Sequence, residues 1–186
     1  MTIITGKSGS GKTTLLSLLG LLDLPDEGTL NIGCTDPYKL SDKERWGFRK
    51  QVFSYIFQRS GLIENMTIYQ NLLLPLLYTR PKTSRSQVDA KILAALQSSS
   101  IDISVDRIVH TLSGGERIRI AIARALIAPY DILLCDEPSA SLDKYNSKKI
   151  GTKLKSVSRL GKTVIVASHD ADLYGFADKI ITLENR

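Results

Sequence analysis

The sequence is short of several things, and each shortage excludes something. It has two cysteines, Cys34 and Cys135. Neither their number nor their spacing suggests a disulfide framework or a metal-binding pair, so a reducing compartment fits. No apolar run approaches the roughly 18 residues of a membrane span; "LLSLLGLL" and "NLLLPLL" are the longest and both are short. The opening residues lack a basic leader and carry a glycine loop instead, so no signal peptide is expected. Internal repeats and low-complexity stretches are absent as well. What is there suits one sizeable core: 186 residues, 42% hydrophobic and 24% charged, the composition of a single globular domain. The net charge of +6 and pI near 9.3 admit nucleic acid, an anionic membrane surface or phosphorylated ligands as partners. The cations are scattered, however. Lys43, Arg45, Arg49 and Lys50 cluster loosely, and Lys144, Lys148, Lys149, Lys153 and Lys155 lie on one helical stretch, which favours solvated helix faces.

Along the chain, Thr2 to Thr5 is a β-branched run, followed by a glycine loop and an apolar helix from Thr13 to Leu22. "PDEGTLNIG" reads as a turn and a short strand. "SDKERWGFRKQ" reads as a polar helix with Ser41 as its N-cap, and Val52 to Phe57 as a strand ending at Gln58. From about Thr67 to Ile127 the spacing turns helical in "TIYQNLLLPLLY", "QVDAKILAALQ" and "GERIRIAIARALI", punctuated by Pro75 and Pro81. Strands return in "DILLC", "TVIVAS" and "KIITL", the first two separated by a polar helix after Leu142. The layout is an α/β sheet core interrupted by helices.

The chemistry starts at "GKSGSGKT". Between a strand and a helix, its glycines let successive backbone N–H groups face phosphate oxygens at the positive end of the helix. Gly6, Ser8, Gly9, Ser10, Gly11, Lys12, Thr13 and Thr14 form the candidate phosphate-binding set. Lys12 would reach the β- and γ-phosphates, and the Thr13 hydroxyl would face Mg²⁺. "DILLCDEP" ends an apolar strand in two carboxylates: Asp136 as a candidate Mg²⁺ ligand and Glu137 as a general base on the attacking water. These two sites fit an ATPase or a GTPase. In "TLSGGERIRIAIARAL", Ser113, Gly114 and Gly115 open a helix and make a second anion site. Two phosphate sites in one chain make sense in a two-fold dimer, each chain closing on the nucleotide held by the other.

In this order and spacing the motifs resemble the ATP-binding cassette (ABC) ATPases over nearly the whole chain. "GKSGSGKT" matches Walker A, Gln58 in "YIFQ" the Q-loop, "LSGGE" the signature and "ILLCDE" Walker B. "SASLD", ending at Asp143, matches the D-loop and "SHD" the switch histidine, His169. The resemblance implies a P-loop NTPase sheet core (about 1–58 and 128–186), a helical subdomain (about 59–127) and a curtailed antiparallel β-subdomain. It implies ATP and Mg²⁺ as cofactors. Gln58 is assigned to Mg²⁺, the attacking water and sensing of a membrane partner, His169 to the γ-phosphate, and Asp143 to communication across the dimer. "LLGLLDLPDEGTLNIG" and "YIFQRSGLIENMTIYQNLLLPLLY" are similar to the macrolide-export, lipoprotein-release and bacteriocin-export branch. That branch implies a homodimer on the inner face of the cell membrane, held by a transmembrane permease whose coupling helix sits near the Q-loop. The residues from Leu62 to Tyr69 could line that groove or belong to the helical core.

Three departures accompany the match. Glu116 stands where the wider family often has Gln, and "SASLD" differs from the "TGNLD" type of D-loop. The family also places two strands and an adenine-stacking aromatic about two dozen positions before the phosphate loop, where this sequence has five residues. Loss of such stacking costs about 1–3 kcal/mol per base, so phosphate and metal binding are expected to survive with adenine selectivity relaxed. Rival expectations are a shortened cassette that binds but turns over poorly, an ABC ATPase outside transport that acts on nucleic acid, and, more remotely, a small-molecule kinase.

Overall fold

The computed structural model describes residues 1–77, 84–99, 101–127, 129–140 and 142–184. Five strands form one parallel sheet: β1 (Thr2–Gly6), β2 (Phe53–Ile56), β3 (Ile132–Asp136), β4 (Thr163–Ala167) and β5 (Lys179–Leu183), in the order β2-β3-β4-β1-β5. Strands covered on both faces read as unbroken apolar runs rather than alternating ones. Leu133, Leu134 and Cys135 are accordingly all buried. Burial pushes the Cys135 thiol above its ordinary range, which makes it a packing residue rather than a nucleophile.

Among the described residues six α-helices accompany the sheet: α1 (Lys12–Leu19), α2 (Asp42–Val52), α3 (Ile68–Leu77), α4 (Arg85–Ser98), α5 (Gly114–Ile127) and α6 (Lys144–Arg159). Their starts follow from local chemistry. At α2 the Glu44 carboxylate accepts from the Ser41 N–H at 3.0 Å, and at α4 Gln87 does the same for Ser84 at 3.0 Å, the reciprocal cap of a helix entrance. Helices α3, α4 and α5 intervene between β2 and β3. One continuous apolar core runs from Ile3, Leu133 and Val164 in the sheet to Leu72, Ile92 and Ile120 in these helices. Pro75 lies inside the last turn of α3; Pro81 and Ser141 lie outside the described residues.

Two expectations are corrected. The "TLNI" segment is not a strand: residues 30–35 carry a single antiparallel bridge, Ile32 to Thr35, and the sheet edges are β2 and β5. No neighbouring strand among the described residues satisfies its backbone, and β-branching alone does not make one. Helix α1 stops at Leu19 rather than Leu22 because the chain turns at Gly20 and Leu21, the latter at φ 59°.

Gly20 is there for a close approach. A Cβ at this position would lie 1.3 Å from the Tyr55 hydroxyl and 2.7 Å from a Leu134 methyl. Gly20→Ala is therefore expected to destabilise the protein by about 1–3 kcal/mol, the usual cost of overpacking. Urea unfolding checks it: the midpoint should fall at constant slope. In Tyr55→Ala, which empties that space, the same change should cost much less.

Candidate active site

Four strands deliver their carboxyl ends to one cleft, where open parallel sheets place ligands. β1 ends in Gly6 and the glycine loop, and β2 leads into Gln58. β3 ends in Asp136 with Glu137 next, and β4 leads into Ser168 and His169. The resulting cleft of about 590 Å³ is lined by Gly6, Ser8, Gly9, Gly11, Lys12, Thr13 and Thr14, and by Gln58, Glu137 and His169 from the other three strand ends.

The loop's shape rests on Gly9 and Gly11, at φ 80° and 87°, a left-handed conformation that glycine adopts without steric penalty. Gly11 hands the chain directly to α1, so the helix's unpaired N–H groups open toward the cleft. Lys12 is 8% exposed, and its ammonium donates to the carbonyls of Gly6 and Lys7, both at 2.9 Å. The cation is thus folded over the loop it would share with a phosphate. Ser10 is not on the cleft wall, and its hydroxyl oxygen is buried.

The Thr13 hydroxyl donates to an Asp136 oxygen at 3.2 Å; Asp136 does not line the cleft itself but a small cavity beside it, which Thr13 also lines. Burial holds the Asp136 carboxyl above the usual carboxylate range; the Thr13 hydrogen bond opposes this and the Glu137 charge adds to it. Such a carboxylate gains by acquiring a cation. The donor set of one hydroxyl and one carboxylate is hard oxygen only, which fits Mg²⁺. Among the described residues no group of three or more His, Cys, Asp or Glu side chains gathers as a metal cluster. Two protein ligands suit an ion that keeps its waters and takes substrate phosphates.

Glu137 has φ 45°, a left-handed conformation that costs a residue with a Cβ about 1–3 kcal/mol and clusters at functional sites. Its N–H donates to the Ala167 carbonyl at 2.9 Å, which ties the end of β3 to the end of β4. One carboxylate oxygen meets Nδ1 of His169 at 2.8 Å. The other accepts from the Ser168 hydroxyl at 3.2 Å.

Ser113, Gly114 and Gly115 do not line this cleft. They open α5, where the Ser113 N–H and hydroxyl both donate to Glu116, at 2.7 and 2.8 Å. Asp143 is also outside it and caps α6 by accepting from the Asn146 N–H at 2.9 Å. Besides Ser168, two features near the site were not singled out from the sequence. Lys7 lines the cleft, within a motif read for its glycines. Arg124 of α5 donates to the carbonyls of Gly61 and Ser60, at 2.6 and 3.3 Å. It thereby fastens the turn after Gln58 to the helix that Ser113 opens, a contact with no local signature.

Residues 1–140 match the model of the ABC transporter family. The chain is 37% identical over 182 residues to the macrolide export ATP-binding/permease protein MacB of Chlorobaculum tepidum, covering 98% of this chain and 28% of that protein. It is 35% identical to the MacB protein of Vibrio parahaemolyticus, again covering 28% of the relative. The chain thus spans less than a third of the length of the curated relatives it matches. Among solved structures it superposes with a TM-score of 0.91 on the ATP-binding cassette MJ0796, a dimer in a post-hydrolysis state bound to ADP and Pi. That pair is 35% identical and the match covers 99% of this chain and 81% of the other. The parallel sheet, the strand-end cleft and these similarities agree: the chain belongs to the ABC transporter family.

Proposed function

We propose that this chain hydrolyses Mg·ATP as the motor unit of an export system, working as a pair of copies attached to a transmembrane permease. The observation that carries the proposal is the convergence of the glycine loop, Thr13, Glu137 and His169 on one cleft, with Asp136 bonded to Thr13 beside it. In this mechanism the loop amides and Lys12 bind the β- and γ-phosphates. Thr13 and Asp136 would hold Mg²⁺, which when bound would offset the negative charge of the phosphate oxygens. Gln58, which lines the cleft, would offer its amide to the ion and the water. Glu137 takes the proton of the water that attacks the γ-phosphorus, the bond from that phosphorus to the β–γ bridging oxygen breaks and ADP leaves with the electron pair, and His169 turns from Glu137 to the γ-phosphate.

A pair of copies is supported by the position of Ser113, Gly114 and Gly115 away from their own cleft, and by the dimeric state of the MJ0796 cassette. With each chain's α5 entrance closing on the other's nucleotide, the γ-phosphate binds the closed pair better than the open one. Hydrolysis then reopens it, as any ligand-driven switch requires. Asp143, beside the α6 entrance, would lie at that junction. The permease partner is supported by the MacB relatives, whose name joins ATP-binding and permease parts. A groove of about 830 Å³ beside the Q-loop, lined by Trp46, Phe57, Pro75 and Arg124 among others, offers exposed aromatic rings for it. Among the described residues no helix is long and apolar enough to cross a membrane, so the permease would hold the chain at the membrane's inner face.

The test is phosphate release from ATP by the purified chain, with and without Mg²⁺, at rising protein concentration. Turnover that needs Mg²⁺ and whose specific rate rises with concentration supports a hydrolytic pair. Hydrolysis indifferent to Mg²⁺, or none at any concentration, removes the motor assignment.

A further inference from the structure

Glu137 is held by two groups of very different character. His169 lies on the outside, with its side chain 72% exposed, whereas the Glu137 side chain is 12% exposed. Ser168 lies behind, fully buried. The serine is fixed in place by its backbone: its N–H donates to the Ile4 carbonyl of β1 at 3.0 Å, one residue after Ala167 receives the Glu137 N–H. Ser168 therefore stands at the junction of the strands that carry the glycine loop, the carboxylate pair and the histidine.

Its hydroxyl has a defined orientation. The Asp170 N–H donates to Ser168 Oγ at 3.1 Å. With one oxygen lone pair engaged by that amide, the single hydroxyl proton goes to Glu137 Oε2 at 3.2 Å. The side chain thus accepts from one fixed amide and donates to one carboxylate oxygen. The exposed histidine can leave; the buried serine cannot.

We propose that Ser168 is the positioning residue of the Glu137 carboxylate. It pins Oε2 when His169 moves away, so that Oε1, the oxygen His169 now occupies, is presented to the water. The assignment rests on the hydrolytic role of Glu137 proposed above. A base whose carboxylate can rotate loses alignment with its proton, and small misplacements of a catalytic group cost up to about 100-fold in rate.

The experiment is steady-state hydrolysis by Ser168→Ala, Ser168→Thr and Glu137→Gln beside the unaltered chain, together with the Glu137→Gln/Ser168→Ala pair. Ser168→Ala is expected to lower kcat by about 10- to 100-fold with KM for ATP within about threefold. Ser168→Thr, which keeps the hydroxyl, should recover most of that loss. In the Glu137→Gln background the alanine change should have no further effect, because the group it positions is gone. Unchanged kcat in Ser168→Ala would overturn the proposal. So would a loss appearing in KM as well as kcat, a threonine variant no better than alanine, or additive losses in the double variant. If Glu137→Gln itself turns over normally, it is the base assignment beneath the proposal that has failed, and the two failures are told apart by that variant alone.

Discussion

Glu137→Gln is expected to lose about 10²- to 10⁴-fold in kcat, the usual contribution of a positioned general base, while still binding Mg·ATP. The substitution is nearly isosteric and keeps an oxygen able to accept from Ser168. It imposes the same left-handed backbone at φ 45° on another residue with a Cβ, so folding should not change. What it removes is the negative charge that can take a proton from water. If hydrolysis opens the pair, a chain that cannot hydrolyse should stay closed. Light scattering should then read the monomer mass of 20.5 kDa without nucleotide and twice that with Mg·ATP. Near-normal turnover would take Glu137 out of the base role. A monomer under both conditions would instead sink the two-copy arrangement, and with it the reading of Ser113, Gly114 and Gly115 as a site that acts in trans.

The parts legible in the sequence are those whose cause is local. The phosphate loop lies within consecutive residues, so its glycines and Lys12 could be read as a unit. β1, β3 and β4 could be read because burial on both faces writes an apolar run. The entrance of α2 was visible because Ser41, a capping residue, stands directly before the polar helix; the reciprocal bond from Glu44 came from the structure. The parts that were not legible depend on neighbours distant in sequence. "TLNI" has a strand's composition but, among the described residues, only one antiparallel bridge. The need for glycine at the end of α1 depends on Tyr55 filling the space beside Gly20. Ser168 and Glu137 are 31 residues apart, and Arg124 and Gly61 are 63 apart. No spacing rule reaches that far; both contacts exist only because the parallel sheet and α5 bring those ends together.

Lys12→Ala should cost the chain at least about 100-fold in ATP affinity, or about 2.8 kcal/mol at 1.4 kcal/mol per decade. Hydrogen bonds to a charged group each contribute about 1.5–3 kcal/mol, and an ammonium has three donors to offer. In the nucleotide-free chain two of them go to the Gly6 and Lys7 carbonyls. The loss should therefore fall on the bound state more than on the empty one. Without Lys12 those carbonyls face an open cleft and can be hydrated, so the empty loop loses little. The melting temperature separates the two effects. A ligand at 100 times its Kd stabilises the folded state by about 2.7 kcal/mol. Mg·ATP at that excess should raise the melting temperature of Glu137→Gln clearly and that of Glu137→Gln/Lys12→Ala hardly at all, with the two nucleotide-free proteins melting within a few degrees of each other. Unchanged ATP affinity by titration calorimetry would refute the phosphate role of Lys12. A large drop in the nucleotide-free melting temperature would show that the lysine mainly braces the loop.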